Sequence, residues 1–293
     1  MPPAAQSDTW TTRRLLTWTT EYFQRQGLDH ARLCAEMLLA HVLGVERLRL
    51  YMEVDRPASE AERTAFRSLV ARAVANEPVD YLVGQAPFFS MWLKVTPATL
   101  IPRPSSETIV EHVIAQERSV GPREDGPLIA DIGTGSGAIA IALAKHIPGA
   151  RVIATDISEA AMKIARENAA AQGVAERITF RVGDLYEPLA GERVDYLVSN
   201  PPYISDAEWA DVPTNVKEHE PTSALRGGAD GLAYLRPLIA GAAAHVEPGG
   251  QVALEIAASQ EQAVLELAGA AGVREARVLK DHEGLPRVLV AAC

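Results

Sequence analysis

The sequence predicts an α/β domain built on a largely parallel sheet and preceded by a small all-α module, on three observations. Residues 1–77 place apolar side chains at helical spacing with few strand signals, strand-like runs alternate with helical ones from residue 128 onward, and a glycine-rich turn follows the first of those runs. Such alternation encodes a parallel sheet covered by helices on both faces. Ligands of these sheets sit beyond the carboxyl ends of the strands, where connections diverge to opposite faces.

In the helical module, Leu15, Trp18, Tyr22 and Phe23 recur at helical spacing before Gly27. Asp29 is placed to cap a second helix carrying Leu33, Met37 and Leu38 up to Gly44, and residues 45–52 suit a short third. Ser59 followed by Glu62 has capping-box spacing, which opens a fourth helix through Phe66, Leu69 and Ala73 that Pro78 would end. The arginines scattered over these helices read as a solvated face. From 78 to 107 the texture changes to Pro, Gly and aromatics, and the run Phe88, Phe89, Met91, Trp92, Leu93, Val95 favours strand. The expected organisation is therefore a helical domain at 1–77, a linker with a β-hairpin at 78–107, and the α/β domain at 108–293. Strands of that domain are expected at 128–131, 151–156, 178–182, 194–200, 251–256, 276–279 and 287–290.

The 293-residue chain is 47% hydrophobic, ample for a sizeable core, and its net charge of -10 argues against general binding to a phosphate backbone. Its two cysteines, Cys34 in a helical pattern and Cys293, form no ligand cluster or disulfide framework, which suits a reducing compartment. The opening residues lack the basic-then-apolar order of a signal peptide, and no apolar run approaches the ~20 residues of a membrane span. A cytoplasmic protein without membrane or direct nucleic-acid partners is expected.

After the first strand stands Asp131-Ile132-Gly133-Thr134-Gly135-Ser136-Gly137, followed by an Ala-rich helix. Its glycines let the backbone turn tightly and approach a ligand, with free N–H groups at the helix start. Gly133, Gly135 and Ala138 also fit a dinucleotide-binding pattern, so a nicotinamide or flavin oxidoreductase is one reading. Asp131 before the turn and a third glycine at 137 are more typical of S-adenosylmethionine sites. Asp156 ends the second strand, about 20 residues past the glycines, where a carboxylate accepts from ribose hydroxyls. Asp184 and Leu185, after the third strand, are placed to accept from an adenine amine and to pack on its ring.

The fourth strand runs into Asn200-Pro201-Pro202-Tyr203. The prolines make a stiff turn with outward carbonyls, so Asn200 and a proline carbonyl can each accept one N–H of a planar NH2 group while Tyr203 covers its face. An amide nitrogen is a poor nucleophile and no strong general base is evident here, so alignment must supply most of the catalysis. Ser136 lacks a G-x-S-x-G context, no lysine follows the loop as in a P-loop, and His219 between Glu218 and Glu220 reads as a solvated loop, so no metal is expected.

With these motifs the chain resembles the release-factor glutamine methyltransferases of the HemK/PrmC type, nearly end to end. The resemblance includes Glu77-Pro78 with Tyr81 and Gly84, Ile101-Pro102-Arg103-Pro104 with Glu107, Glu220-Pro221 followed by Ala224-Leu225 and Gly227-Gly228, Asp230-Gly231-Leu232, and Lys280-Asp281 with Arg287-Val288. It implies a Rossmann-like, seven-stranded S-adenosylmethionine-dependent methyltransferase domain, its last strands partly antiparallel, after an all-α substrate-recognition domain. It implies as partner a class I peptide chain release factor, methylated on the glutamine of its Gly-Gly-Gln loop. By the same resemblance Gly133, Thr134, Gly135, Ser136, Gly137, Asp156, Asp184, Leu185 and Asn200 border the cofactor, and Asn200, Pro201, Pro202 and Tyr203 hold the glutamine. The family's Pro-Arg-Pro segment usually continues with an acidic residue and Thr, whereas Ser105 and Ser106 stand here. Alternative substrates are a ribosomal-protein glutamine and an exocyclic base amine, the latter reached by base flipping; a non-catalytic binding module of the same fold is a further alternative.

Overall fold

The computed structural model describes residues 9–121 and 125–293. Residues 1–8, read above for a targeting signal, lie outside the described residues. The chain divides between Gly84 and Gln85 into two compact units.

The first unit is helical, with α1 Thr12–Arg25, α2 Ala31–Leu43, α3 Arg47–Met52, α4 Glu60–Val74 and α5 Val79–Val83. The Ser59–Glu62 capping box is present in full, each side chain bonded to the other's backbone N–H. Three details depart from the sequence reading. α2 is preceded by His30 in a left-handed conformation rather than capped by Asp29. α4 stops at Val74, before Pro78, and Pro78 begins the additional turn α5, where its missing N–H costs nothing. Trp18 is 45% exposed and stacks on Tyr22, because the buried stripe of α1 is Thr12, Leu15, Thr19 and Phe23. Several arginines are ion-paired rather than simply solvated: Arg32 and Arg47 hold the buried Glu36, Arg56 holds Glu62, and Arg72 holds Glu77.

The second unit opens with a hairpin, β1 Gln85–Phe88 and β2 Met91–Lys94, inside the segment expected to link the domains. Its two-residue turn, Phe89-Ser90, has both residues at positive φ, as tight hairpin twist demands. Ala86, Phe88, Met91 and Leu93 point inward and the first strands thus belong to this unit's core. There follow α6 Glu107–Val120, β3 Leu128–Ile132, α7 Ala138–His146, β4 Arg151–Asp156, α8 Glu159–Ala171, β5 Ile178–Val182, β6 Val194–Ser199, α9 Thr214–His219, α10 Leu235–His245, β7 Val246–Glu255, α11 Glu261–Ala270, β8 Arg274–Lys280 and β9 Pro286–Ala292.

Seven of these strands form one sheet in the order β5-β4-β3-β6-β7-β9-β8. Neighbours from β5 to β7 are parallel, while β9 runs antiparallel to both β7 and β8. Alternate residues feed opposite layers: Tyr196 and Val198 pack with α6 and α7, and Leu197 with α10. No helix among the described residues is long and apolar enough to cross a membrane.

Candidate active site

Sheet order decides which strand ends can meet. The chain passes outward from β3 to β4 and β5 on one side and builds β6 and β7 on the other, so the crevice opens beyond the ends of β3 and β6. Register pairs Ile132 with Ser199, which sets Gly133 beside Asn200, and Ser199 with Leu254, which sets Glu255 on the other side of Asn200. Ile132 also pairs with Thr155, and Asp156 with Val182. The glycine turn, Asp156, the turn at 183–185 and the Asn-Pro-Pro-Tyr turn therefore lie along one edge.

The glycine turn is tied from below. Buried Asp131 accepts at Oδ2 from Thr134 Oγ1 at 2.6 Å and from the Ala140 amide at 3.1 Å, joining the end of β3 to the first turn of α7. Burial pushes its carboxyl up to about 6, against the pull of these donors, and Oδ1 is buried with no protein partner. Gly137 sits at φ +84°, and a Cβ there would come within 2.9 Å of Ile141 Cδ1, so backbone freedom and close helix packing both require glycine. Buried Asn168 on α8 accepts from the Lys94 amide at 2.7 Å and donates to the Ser136 carbonyl at 2.8 Å, anchoring the turn to the hairpin.

Asp156 accepts from the Gly135 amide at 2.9 Å and the Ser158 amide at 2.8 Å, and burial raises its pKa. One bond on each oxygen leaves lone pairs for a diol. Asp184 is exposed, and Leu185, at φ +41°, is half-buried against the core beneath it. A Cβ at Gly133 or Gly135 would meet nothing within 4 Å, so there is open space above the turn. The Thr134, Gly135 and Gly137 amides are already bonded within the protein, so the turn offers little to a pyrophosphate, whereas a diol acceptor and an exposed carboxylate beside an apolar side chain fit an adenosine-bearing cofactor.

On the opposite side of the crevice every residue of the Ile101-Pro102-Arg103-Pro104-Ser105-Ser106-Glu107 segment except Pro102 has a visible part. Ile101 N and Arg103 both donate to Glu220, whose side chain is 1% exposed. Pro104 starts a 3-10 turn, and Glu107 accepts from the Phe89 amide in the hairpin turn at 2.7 Å. Ser105 and Ser106 donate to the two oxygens of Glu255 at 3.0 and 2.5 Å, and Asn200 Nδ2 donates to Ser106 Oγ at 2.9 Å. Tyr203 donates its hydroxyl to Glu255 at 3.2 Å, which together with burial raises the phenol pKa.

The turn is clipped behind as well. Ile204 exchanges backbone bonds with Leu225 and Gly227, and Gln260 donates to the carbonyls of Tyr203 and Gly231, both at 3.0 Å. Gly231, at φ +76°, passes so close that a Cβ would lie 2.4 Å from the Tyr203 carbonyl oxygen. This explains the glycine at 231. Asp281 accepts from Arg287, which also donates to the Ile256 carbonyl beyond β7. The residues that the sequence reading missed here are Asn168, Glu255 and Gln260, while Ser106 and Glu220 were named without their partners. Glu255 did leave a signal, a lone carboxylate at the end of the apolar run Val252-Ala253-Leu254. Glu220, read as part of a solvated loop, is instead buried and engaged by Arg103 and Ile101.

Comparison with known proteins agrees with this architecture. Residues 14–84 match the family model for the PrmC N-terminal domain and residues 108–218 that for the methyltransferase small domain. The chain is 38% identical over 280 residues to a release factor glutamine methyltransferase of Geobacter sulfurreducens, covering 96% of each chain. It is 45% identical over 266 residues to the same-named protein of Moorella thermoacetica, covering 90% of this chain and 92% of that one. Among solved structures, a methyltransferase from Pyrococcus furiosus superposes with a TM-score of 0.51 at 19% identity, over 76% of this chain and 96% of that one, a likeness of fold. Near-full-length identity at this level makes this chain a member of the release factor glutamine methyltransferase family.

Proposed function

We infer that this protein transfers a methyl group from S-adenosylmethionine to the side-chain amide nitrogen of the glutamine in the Gly-Gly-Gln loop of class I peptide chain release factors. The observation that carries this is the juxtaposition, enforced by β3–β6 register, of the glycine turn with Asn200, in a chain so similar to named release factor glutamine methyltransferases.

Residues 133–137, Asp156, Asp184 and Leu185 would hold the cofactor, with Asn200 at its reactive end. When bound, S-adenosylmethionine would supply an electrophilic methyl carbon to the amide nitrogen, sulfur keeping the electron pair of the broken bond and the displaced amide proton leaving to solvent. Asn200 Oδ1 and the Pro201 carbonyl accept the two N–H groups of the incoming glutamine; no hydrogen bond within the described residues takes either oxygen. Those acceptor dipoles face the positive charge that develops on nitrogen. Pro201 and Pro202 keep the turn stiff, and Tyr203 covers the flat face of the amide with its ring set by Glu255. Alignment of this kind contributes on the order of 7 kcal/mol in favourable systems, which suits a site without a strong base.

The test is mass spectrometry of a class I release factor incubated with the protein and S-adenosylmethionine. One added methyl group on the loop glutamine is expected. Methylation of nucleic acid instead, or transfer to neither, would overturn the reading.

A further inference from the structure

We propose that Glu255 sets which way the Asn200 side-chain amide faces, acting through Ser106 as a positioning residue. The proposal rests on the glutamine-methylation reading above and deepens it by explaining how the acceptor end of Asn200 comes to be presented.

Glu255 ends β7 with no solvent exposure and gathers three hydroxyls, those of Ser105, Ser106 and Tyr203. An ionised carboxylate only accepts, and a hydroxyl has one proton to give. Ser106 gives its proton to Glu255, so toward Asn200 it has only lone pairs. Asn200 must therefore present Nδ2 to it, at 2.9 Å, and turn Oδ1 away. Oδ1 is the end that can accept from a substrate N–H. With the opposite polarity the NH2 group would face the substrate's own NH2, donor against donor.

The chain of donors thus has a direction fixed at its buried end. Burial raises the pKa of Glu255, while Ser106, Ser105, the Arg287 guanidinium on β9 and Tyr203 favour its ionised form. Ser105 adds to that direction, since a hydroxyl at 105 can donate to Glu255 where an acidic side chain in its ionised form could not.

A glutamine at 255 keeps the shape but supplies an N–H. It can donate to Ser106, free the Ser106 proton to point at Asn200, and let the amide invert. Glu255→Gln is expected to lower kcat for release-factor methylation at least about tenfold, leaving S-adenosylhomocysteine affinity and the release-factor KM within about twofold. Adding Asn200→Asp to Glu255→Gln restores matched polarity, because a carboxylate at 200 accepts the freed Ser106 proton. The double variant should exceed the product of the two single effects by about tenfold. Unchanged kcat in Glu255→Gln, or simple multiplicativity of the pair, overturns the proposal. If Glu255→Gln does not fold, Ser106→Ala replaces it, with the same fall in kcat at constant cofactor affinity expected and normal kcat overturning the idea. A wild-type protein that fails to methylate any release factor would remove the glutamine reading itself; an active wild type with unaffected variants would remove this proposal alone.

Discussion

The side-chain amide of Gln260 donates to the main-chain carbonyl of Tyr203 at 3.0 Å, and this bond fixes which oxygens of the Asn-Pro-Pro-Tyr turn remain for a substrate. The Tyr203 carbonyl is held from behind, as is that of Gly231, whereas the Pro201 carbonyl accepts no bond within the described residues. Gln260→Leu, of similar volume, would orphan both carbonyls and the Ala257 amide. A stability loss of roughly 1–3 kcal/mol is expected in urea unfolding, with a fall in kcat larger than any change in cofactor affinity. A variant with normal turnover would show that the turn holds itself.

Asn200→Ala removes the acceptor proposed to face the substrate nitrogen while leaving the glycine turn and Asp156 intact. Methyl transfer should fall by about a thousandfold or more. Calorimetric binding of S-adenosylhomocysteine should change little. Near-normal turnover in this variant would reject the role given to Asn200.

Arg103 and Glu220 form an ion pair in which the arginine is partly exposed and the carboxylate buried. Arg103→Ala leaves that carboxylate with the Ile101 amide alone. A loss of roughly 2 kcal/mol or more is expected, smaller than for a fully buried pair because solvent reaches the arginine. Adding Glu220→Gln should recover part of it, since a neutral amide is cheaper to bury. Urea unfolding of both variants decides, and equal losses would contradict the account.

Asp131 has a folded-state pKa raised from 3.8 to about 6 by burial. A carboxyl raised in this way favours the folded state fully below its unfolded pKa, and the contribution fades as pH rises from about 4 through 6. Asp131→Asn keeps an oxygen for Thr134 and Ala140 and has no charge to desolvate. The melting temperature of the variant relative to wild type should therefore move upward between pH 4 and pH 7.5, by an amount on the order of 2 kcal/mol in stability. A difference that stays flat across that range would show that Asp131 titrates normally.

The sheet was legible because its strands are short apolar runs separated by helical periodicity, and each of the seven expected runs overlaps an observed strand. The residues proposed to border the cofactor were legible because they follow one another along the chain, from Gly133 to Asn200, each at or just past the end of a strand. Trp18 and Leu33 were misplaced because a helical stripe read by eye drifts by one position, and only packing shows which face is covered. The Ser106–Glu255 bond spans 149 residues and joins two residue types that are ordinary on any surface. Nothing local marks it. The same holds for Asn168, whose three bonds to the hairpin and the glycine turn exist only after folding.

That span of 149 residues has an evolutionary corollary. The residues proposed to hold the methyl donor, from 133 to 185, form one contiguous stretch of the sequence. The grip proposed for the acceptor draws on three remote stretches, around 105, 200 and 255, and a crossover between 200 and 255 would leave the proposed donor residues together while parting Glu255 from Ser106 and Asn200.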